Sequence, residues 1–164
     1  MLSAESLKKI DRELAKYPAD QKQSAVMAAL IIAQDEMGWL ATGTMDFVAQ
    51  YLGMAPVAVY EVATFYNMYN LQATGKHKLT ICTCLPCGLQ GSLDAADHLK
   101  QRLGIDFNET TADGKFTLKE GECMGACAMA PVVLVNNKRM CDYMSPDKLD
   151  ALVNELRSDA GKKA

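Results

Sequence analysis

Clustered Lys and Arg are missing from this 164-residue chain: the formal charge is −3, and adjacent basic residues occur only in pairs, Lys162-Lys163 among them. Phosphate backbones are gripped by grouped cations, so nucleic acid is excluded as a partner. Long apolar runs are missing as well. The apolar stretch Val26 to Ala33 covers eight residues, against roughly 20 for a membrane-spanning helix. Direct membrane insertion is therefore not expected, and any membrane association is left to a partner. The opening Met-Leu-Ser-Ala-Glu-Ser has neither the apolar core of a signal peptide nor the Arg-rich character of a transit sequence, which predicts a mature cytoplasmic protein. No Gly-x-Gly-x-x-Gly follows a predicted strand, so no nucleotide site of that kind is visible. Asp and Glu are scattered over predicted helix faces, without the paired arrangement of acid–base work. Internal repeats and low-complexity segments are absent. Histidine is scarce: His77 falls in a linker and His98 on a helix, and solvent exposure is expected of both.

What the chain does have is cysteine. Near-half hydrophobic content (49%) with 23% charged residues describes an ordinary soluble globular protein rather than a disordered one. Six cysteines could form three disulfides, but disulfides are concentrated in small secreted domains that lack a sufficient core. In a reducing cytosol, close-spaced cysteines are more often metal ligands or redox thiols.

The first half reads as four helices. Ser3 can cap a segment in which Leu7, Ile10 and Leu14 recur at helical spacing, ending before Pro18. Asp20 is the expected cap of a second, with Val26, Leu30, Ala33 and Met37 as its apolar face and Gly38 as its stop. Thr44 is expected to cap a third, carrying Phe47, Val48, Tyr51 and Leu52 up to Gly53. Pro56 suits the first turn of a fourth, Val57 to about Tyr69. That helix carries Tyr60, Phe65, Tyr66, Met68 and Tyr69, expected mostly in the core with partner docking as a second use.

Gly75 and small polar residues between Leu71 and His77 break the helical pattern, which predicts a helical partner-docking domain over 1–74 and a second domain over 75–158, with a flexible tail at 159–164. Leu79 and Ile81 alternate with Lys78 and Thr80 as in a half-buried strand running into Cys82. Ser92 can cap a helix ending at Gly104, and Asp113-Gly114 is a turn before a strand with Phe116 and Leu118. Pro131 precedes the β-branched strand Val132–Val135, and Asn136-Asn137 turns into Lys138 to Tyr143. Ser145-Pro146 opens a last helix with Leu149, Leu152, Val153 and Leu156 on one stripe. The fold class expected is α+β: an N-terminal four-helix region followed by a compact α/β domain.

Cys82 and Cys87 have four residues between them, Cys123 and Cys127 three, and each pair follows a predicted strand. Two loops offering two thiolates each at one end of a sheet suit a structural zinc or an iron–sulfur centre. Gly88, Gly91, Gly121 and Gly125 flank the loops and let backbone amides approach an anionic cluster. Spacing favours the cluster modestly, since zinc loops more often have two intervening residues. A third reading is a thiol–disulfide oxidoreductase: Cys84-Leu-Pro-Cys87 is a Cys-x-x-Cys between strand and helix, and Pro131 sits where thioredoxin-like folds place a cis proline. Cys82, Cys123 and Cys127 are superfluous to that chemistry. Cys141, alone on a strand, is expected as a small buried hydrophobe.

Four blocks, Ala63-Thr-Phe-Tyr-Asn-Met68, Ile81-Cys-Thr-Cys-Leu-Pro-Cys87, Asp113-Gly-Lys-Phe-Thr-Leu118 and Glu122-Cys-Met-Gly-Ala-Cys-Ala-Met-Ala-Pro131, together with the order of elements, resemble the small [2Fe-2S] subunits of NADH-quinone oxidoreductases. The resemblance covers nearly the whole chain and implies that the second domain is a thioredoxin-like ferredoxin. It implies that Cys82 and Cys87 hold one iron and Cys123 and Cys127 the other, with Cys84 departing from the pattern as a non-ligand. It further implies one-electron exchange with FMN on a partner flavoprotein that also binds NADH. Larger Fe–S subunits would be neighbours, and the complex would sit peripherally on the cytoplasmic membrane. Related subunits serve NAD-linked hydrogenases and formate dehydrogenases.

Overall fold

The computed structural model describes residues 2–158, and the chain divides after Ala73 into two compact units. The tail expected at 159–164 lies outside the described residues.

In the first unit, α1 (Ala4–Leu14) starts at the Ser3 cap, whose hydroxyl oxygen accepts the Ser6 N–H at 3.2 Å. The Ser3 N–H and hydroxyl both donate to Glu36, tying this start to the end of α2 (Val26–Met37). Asp20 does not cap α2. A 3₁₀ turn over Lys22–Ala25 leads into it instead, so its entry is shaped by backbone bonds rather than a side chain. Met37 lies exposed at the end of the helix, while Val26, Ala29, Leu30 and Ala33 are buried. Thr44 is not a cap either: α3 (Thr42–Leu52) begins after Ala41 and closes on Gly53 in the left-handed region.

The fourth helix, α4 (Pro56–Phe65), stops short of the expected Tyr69, with Tyr66 already extended. A buried side chain from α2 supplies the reason. Gln34 accepts the Asn70 N–H at 2.5 Å and donates to the Met68 carbonyl at 3.1 Å, giving those backbone groups partners no helix would offer. Tyr69 is buried, and its hydroxyl donates to the Met27 carbonyl at 3.0 Å. The core expectation fails for two aromatics: Phe65 is 79% exposed and Tyr66 39%. Neither is among the side chains packed on the Ile10, Leu30, Val48, Val59 and Ala63 core, whereas Tyr60 and Met68 are.

The second unit is a four-stranded sheet of order β2-β1-β3-β4, made of β1 (His77–Cys82), β2 (Phe116–Gly121), β3 (Val133–Val135) and β4 (Arg139–Cys141). Strands β1 and β2 are parallel, in a register running from His77 opposite Phe116 to Cys82 opposite Gly121; the other pairs are antiparallel. Parallel neighbours need a crossover, supplied by α5 (Leu85–Gly88) and α6 (Ser92–Leu103). Leu79, Ile81, Phe116, Leu118, Val133 and Val135 meet Ala96 and Leu99 of α6 and the expected Leu149, Leu152, Val153 and Leu156 stripe of α7 (Pro146–Ser158).

Because β1 is an interior strand, it is not half-buried: Lys78 is 3% exposed and His77 6%. His77 thus belongs to the strand, not to an exposed linker. His98 is only part-exposed and lies 3.1 Å from Asp150 of α7. Ser92 opens α6 but does not cap it; Gly91 does, in the left-handed region. The Asp113-Gly114 turn forms as expected, and Asn136 and Asn137 both adopt positive φ at theirs. Half-buried Cys141 packs against the core that the sheet forms with α6 and α7. No described helix is long and apolar enough to cross a membrane.

Candidate metal centre

Parallel pairing of β1 and β2 brings their ends side by side, so the chain leaves the sheet from Cys82 and Gly121 at one edge and both cysteine loops begin there. After Cys82 the Thr83 N–H donates to the Gly121 carbonyl at 3.3 Å, and the Cys82 N–H to the Val132 carbonyl at 3.2 Å, fixing the exit from both sides. Cys84 then precedes the single turn α5, which carries Cys87 inward. Sequence reading missed this turn because a four-residue helix has no periodicity to detect. Cys82 and Cys87 are each 1% exposed.

The second loop runs from Glu122 through Cys123, Met124 and Gly125 into a 3₁₀ turn over Cys127–Met129, then through a cis Ala130–Pro131 bond towards β3. Gly125, at φ +69°, bends the loop so that its N–H donates to the Cys123 sulfur at 3.4 Å. Gly121 admits no side chain: a Cβ there would lie 2.7 Å from Thr80 Cγ2 and 2.9 Å from Met124 Cε. Gln90 links the loops by donating to the Cys127 carbonyl at 3.2 Å, and Thr83 donates to Glu120 at 2.7 Å.

Cys82, Cys87 and Ala130 form a small buried cluster with Cys84, Met124 and Cys127 packed against it. The structure therefore brings together three of the four expected ligands and Cys84, and leaves Cys123 exposed at the rim. Met124, Gln90 and Ala130 were missed from sequence. Only Met124, lying between two cysteine candidates, carried any signal of its place. Burial, then the neighbouring Cys82 and Cys127 sulfurs, push the Cys87 thiol up to about 12. Burial, then Cys82, Glu122 and Cys123, push Cys84 up to about 11. Both shifts run against a thiol–disulfide exchanger, which needs a lowered thiol pKa. A coordinated metal takes thiols as thiolates.

Among the described residues no group of three or more His, Cys, Asp or Glu side chains is already set to hold a metal ion. The thiols come from two loops instead, and a [2Fe-2S] centre distributes four thiolates over two irons. The donor chemistry, the buried Cys82–Cys87 pair and the amide aimed at Cys123 fit such a group.

A parallel βαβ unit continued by an antiparallel β3–β4 hairpin, a terminal helix and a cis proline beside the cysteines defines a thioredoxin-type frame that carries a thiol-lined site. Residues 10–157 match the family model of the thioredoxin-like [2Fe-2S] ferredoxins, and the chain belongs to that family. It is 44% identical over 147 residues to an NADH-quinone oxidoreductase subunit of Rickettsia bellii, covering 89% of this chain and 87% of that one. It is 42% identical over 160 residues to the mitochondrial NADH dehydrogenase [ubiquinone] flavoprotein 2 of Dictyostelium discoideum, covering 97% of this chain and 64% of that one. Among solved structures, an air-oxidized NAD+-reducing [NiFe]-hydrogenase matches 88% of this chain with a TM-score of 0.73 at 18% identity. This chain spans 25% of that one, and the likeness is one of fold.

Proposed function

We propose that this chain is the [2Fe-2S] electron-transfer subunit of an NADH-quinone oxidoreductase, with Cys82 and Cys87 holding one iron and Cys123 and Cys127 the other. The observation that carries the reading is the meeting of two cysteine loops at the paired ends of β1 and β2, with Cys82 and Cys87 sealed from water. When bound, such a cluster takes up and gives back one electron at a time. The chain's own part is to hold and insulate. Cys82 is anchored through the Val132 carbonyl just before β3, Cys87 through α5, and the Gly125 N–H supports the Cys123 sulfur, an interaction of the kind that sets cluster potentials.

In this reading NADH oxidation and FMN belong to a partner flavoprotein, with which this cluster exchanges electrons, and larger Fe–S subunits complete the assembly; the sequence itself has no Gly-x-Gly-x-x-Gly. Attachment to the cytoplasmic membrane is peripheral, through the complex. Relatives 42% and 44% identical carry NADH-oxidoreductase names, while the hydrogenase likeness stands at 18%, which favours the respiratory assignment over an NAD-linked hydrogenase.

The test is selective reduction. Dithionite should bleach the visible absorption of the isolated chain, whereas NADH should do so only after the flavoprotein partner is added. Direct bleaching of the isolated chain by NADH would overturn the division of labour.

A further inference from the structure

Cys84 is the one thiol at the loop cluster that the four-ligand assignment leaves unused, and its position is not that of a bystander. Cys141, the other spare cysteine, lies on β4 and packs against the core that the sheet forms with α6 and α7. Cys84 instead packs against the buried cluster of Cys82, Cys87 and Ala130, as Met124 and Cys127 do. It stands immediately before α5, two residues after Cys82 and three before Cys87, so the first loop contains two pairings, one with four intervening residues and one with two. Its sulfur lies 3.9 Å from Glu122 Oε2, which brings the first loop against the residue that precedes Cys123.

We propose that Cys84 is a reserve iron ligand, placed to replace Cys82 when that thiolate is lost. This rests on the four-cysteine reading above. The exchange is one of ligands, with no net redox change: the Cys84 S–H gives its proton to solvent, and the resulting thiolate binds the iron that Cys82 has left. Two features make the swap geometrically cheap. Cys82 and Cys84 flank one residue at the mouth of the loop, and Cys87 remains fixed by α5 in either pairing. The alternative pairing is the Cys-x-x-Cys spacing common among metal-binding loops.

The experiment uses the full chain, reconstituted anaerobically with ferrous iron and sulfide, as wild type, Cys84→Ser, Cys82→Ser and Cys82→Ser/Cys84→Ser. Wild type and Cys84→Ser should hold equal iron and sulfide. Cys82→Ser should retain more than half of that content, with shifted visible and EPR spectra, and the double variant should lose it. Alkylation followed by mass spectrometry adds a readout that does not depend on yield. Cys84 should be labelled in loaded wild type and protected in loaded Cys82→Ser. Cys82→Ala, which keeps a small side chain at this buried position, serves if the serine variant does not fold. A folded Cys82 variant that takes up no cluster, or one that holds it with Cys84 still labelled, overturns the proposal. Loss of the cluster in Cys84→Ser would instead overturn the four-ligand reading, so the two failures are distinguishable.

Discussion

Gly121→Ala is the substitution through which the loop geometry can be tested most sharply without touching a cysteine. The added Cβ would meet three groups of unequal softness. Met124 Cε at 2.9 Å is the tip of a flexible side chain and can swing aside. Thr80 Cγ2 at 2.7 Å belongs to a β-branched residue with restricted χ1, and the Ile81 carbonyl at 3.2 Å is fixed in the sheet. Overpacking of this kind costs about 1–3 kcal/mol, or roughly 2–12 °C in Tm for a chain of this size. Relief of the clash pushes Met124, beside Cys123, and parts β1 from β2 where Cys82 pairs with Gly121. Thermal melts followed by circular dichroism and by the visible absorption of the loaded protein should therefore both shift down, the visible signal at least as far. Gly43→Ala is the matched control. It lies in α3 with nothing within 4 Å of its Cβ position, and it should be neutral or stabilising by about 0.4–1 kcal/mol. A Gly121→Ala protein as stable as wild type, with the control behaving as stated, would refute the packing argument.

Three further outcomes follow from the same packing. Leu99→Ala, at a fully buried position between α6 and the sheet, should cost about 2–5 kcal/mol in urea denaturation; a loss below about 1 kcal/mol would mean that the core is not packed as described. Gln34→Leu takes from the Asn70 N–H and the Met68 carbonyl the side chain that bonds them. It should destabilise the first unit by about 1–3 kcal/mol per orphaned group, with hydrogen exchange accelerated at Asn70; unchanged exchange there would argue against the clasp. Burial, then the Lys119 charge, lowers Lys78 to about 8 from its ordinary value of 10.5. Between those values the unfolded chain binds more protons than the folded one, so this group's contribution to stability rises with pH. The full effect is about 3 kcal/mol. The stability difference between wild type and Lys78→Met should change by that amount from pH 8 to 10.5, and a flat difference would contradict the burial.

The sequence was most legible where local chemistry and tertiary packing agree. Ser3 caps α1, Pro56 opens α4, and the α7 stripe is buried as its spacing required. It was least legible where a distant residue decides. The end of α4 is set by Gln34, 36 residues before Asn70, and no propensity between Tyr66 and Tyr69 announces it. Lys78 and His77 look like exposed residues until the sheet order makes β1 an interior strand. At the site, spacing and the strand ends located both cysteine loops. They could not rank Cys82, Cys84, Cys123 and Cys127 by burial, because that ordering comes from α5 and from the bend at Gly125.

Whether the chain itself carries one [2Fe-2S] cluster on its two cysteine loops is tested most directly by metal analysis with EPR of the anaerobically purified full chain. The expected result is about two irons and two acid-labile sulfides per chain, EPR-silent when oxidised and giving about one spin when reduced by dithionite. Both should be lost in Cys87→Ser and Cys127→Ser. A colourless protein holding a single zinc, or an unaltered spectrum in either variant, would contradict it.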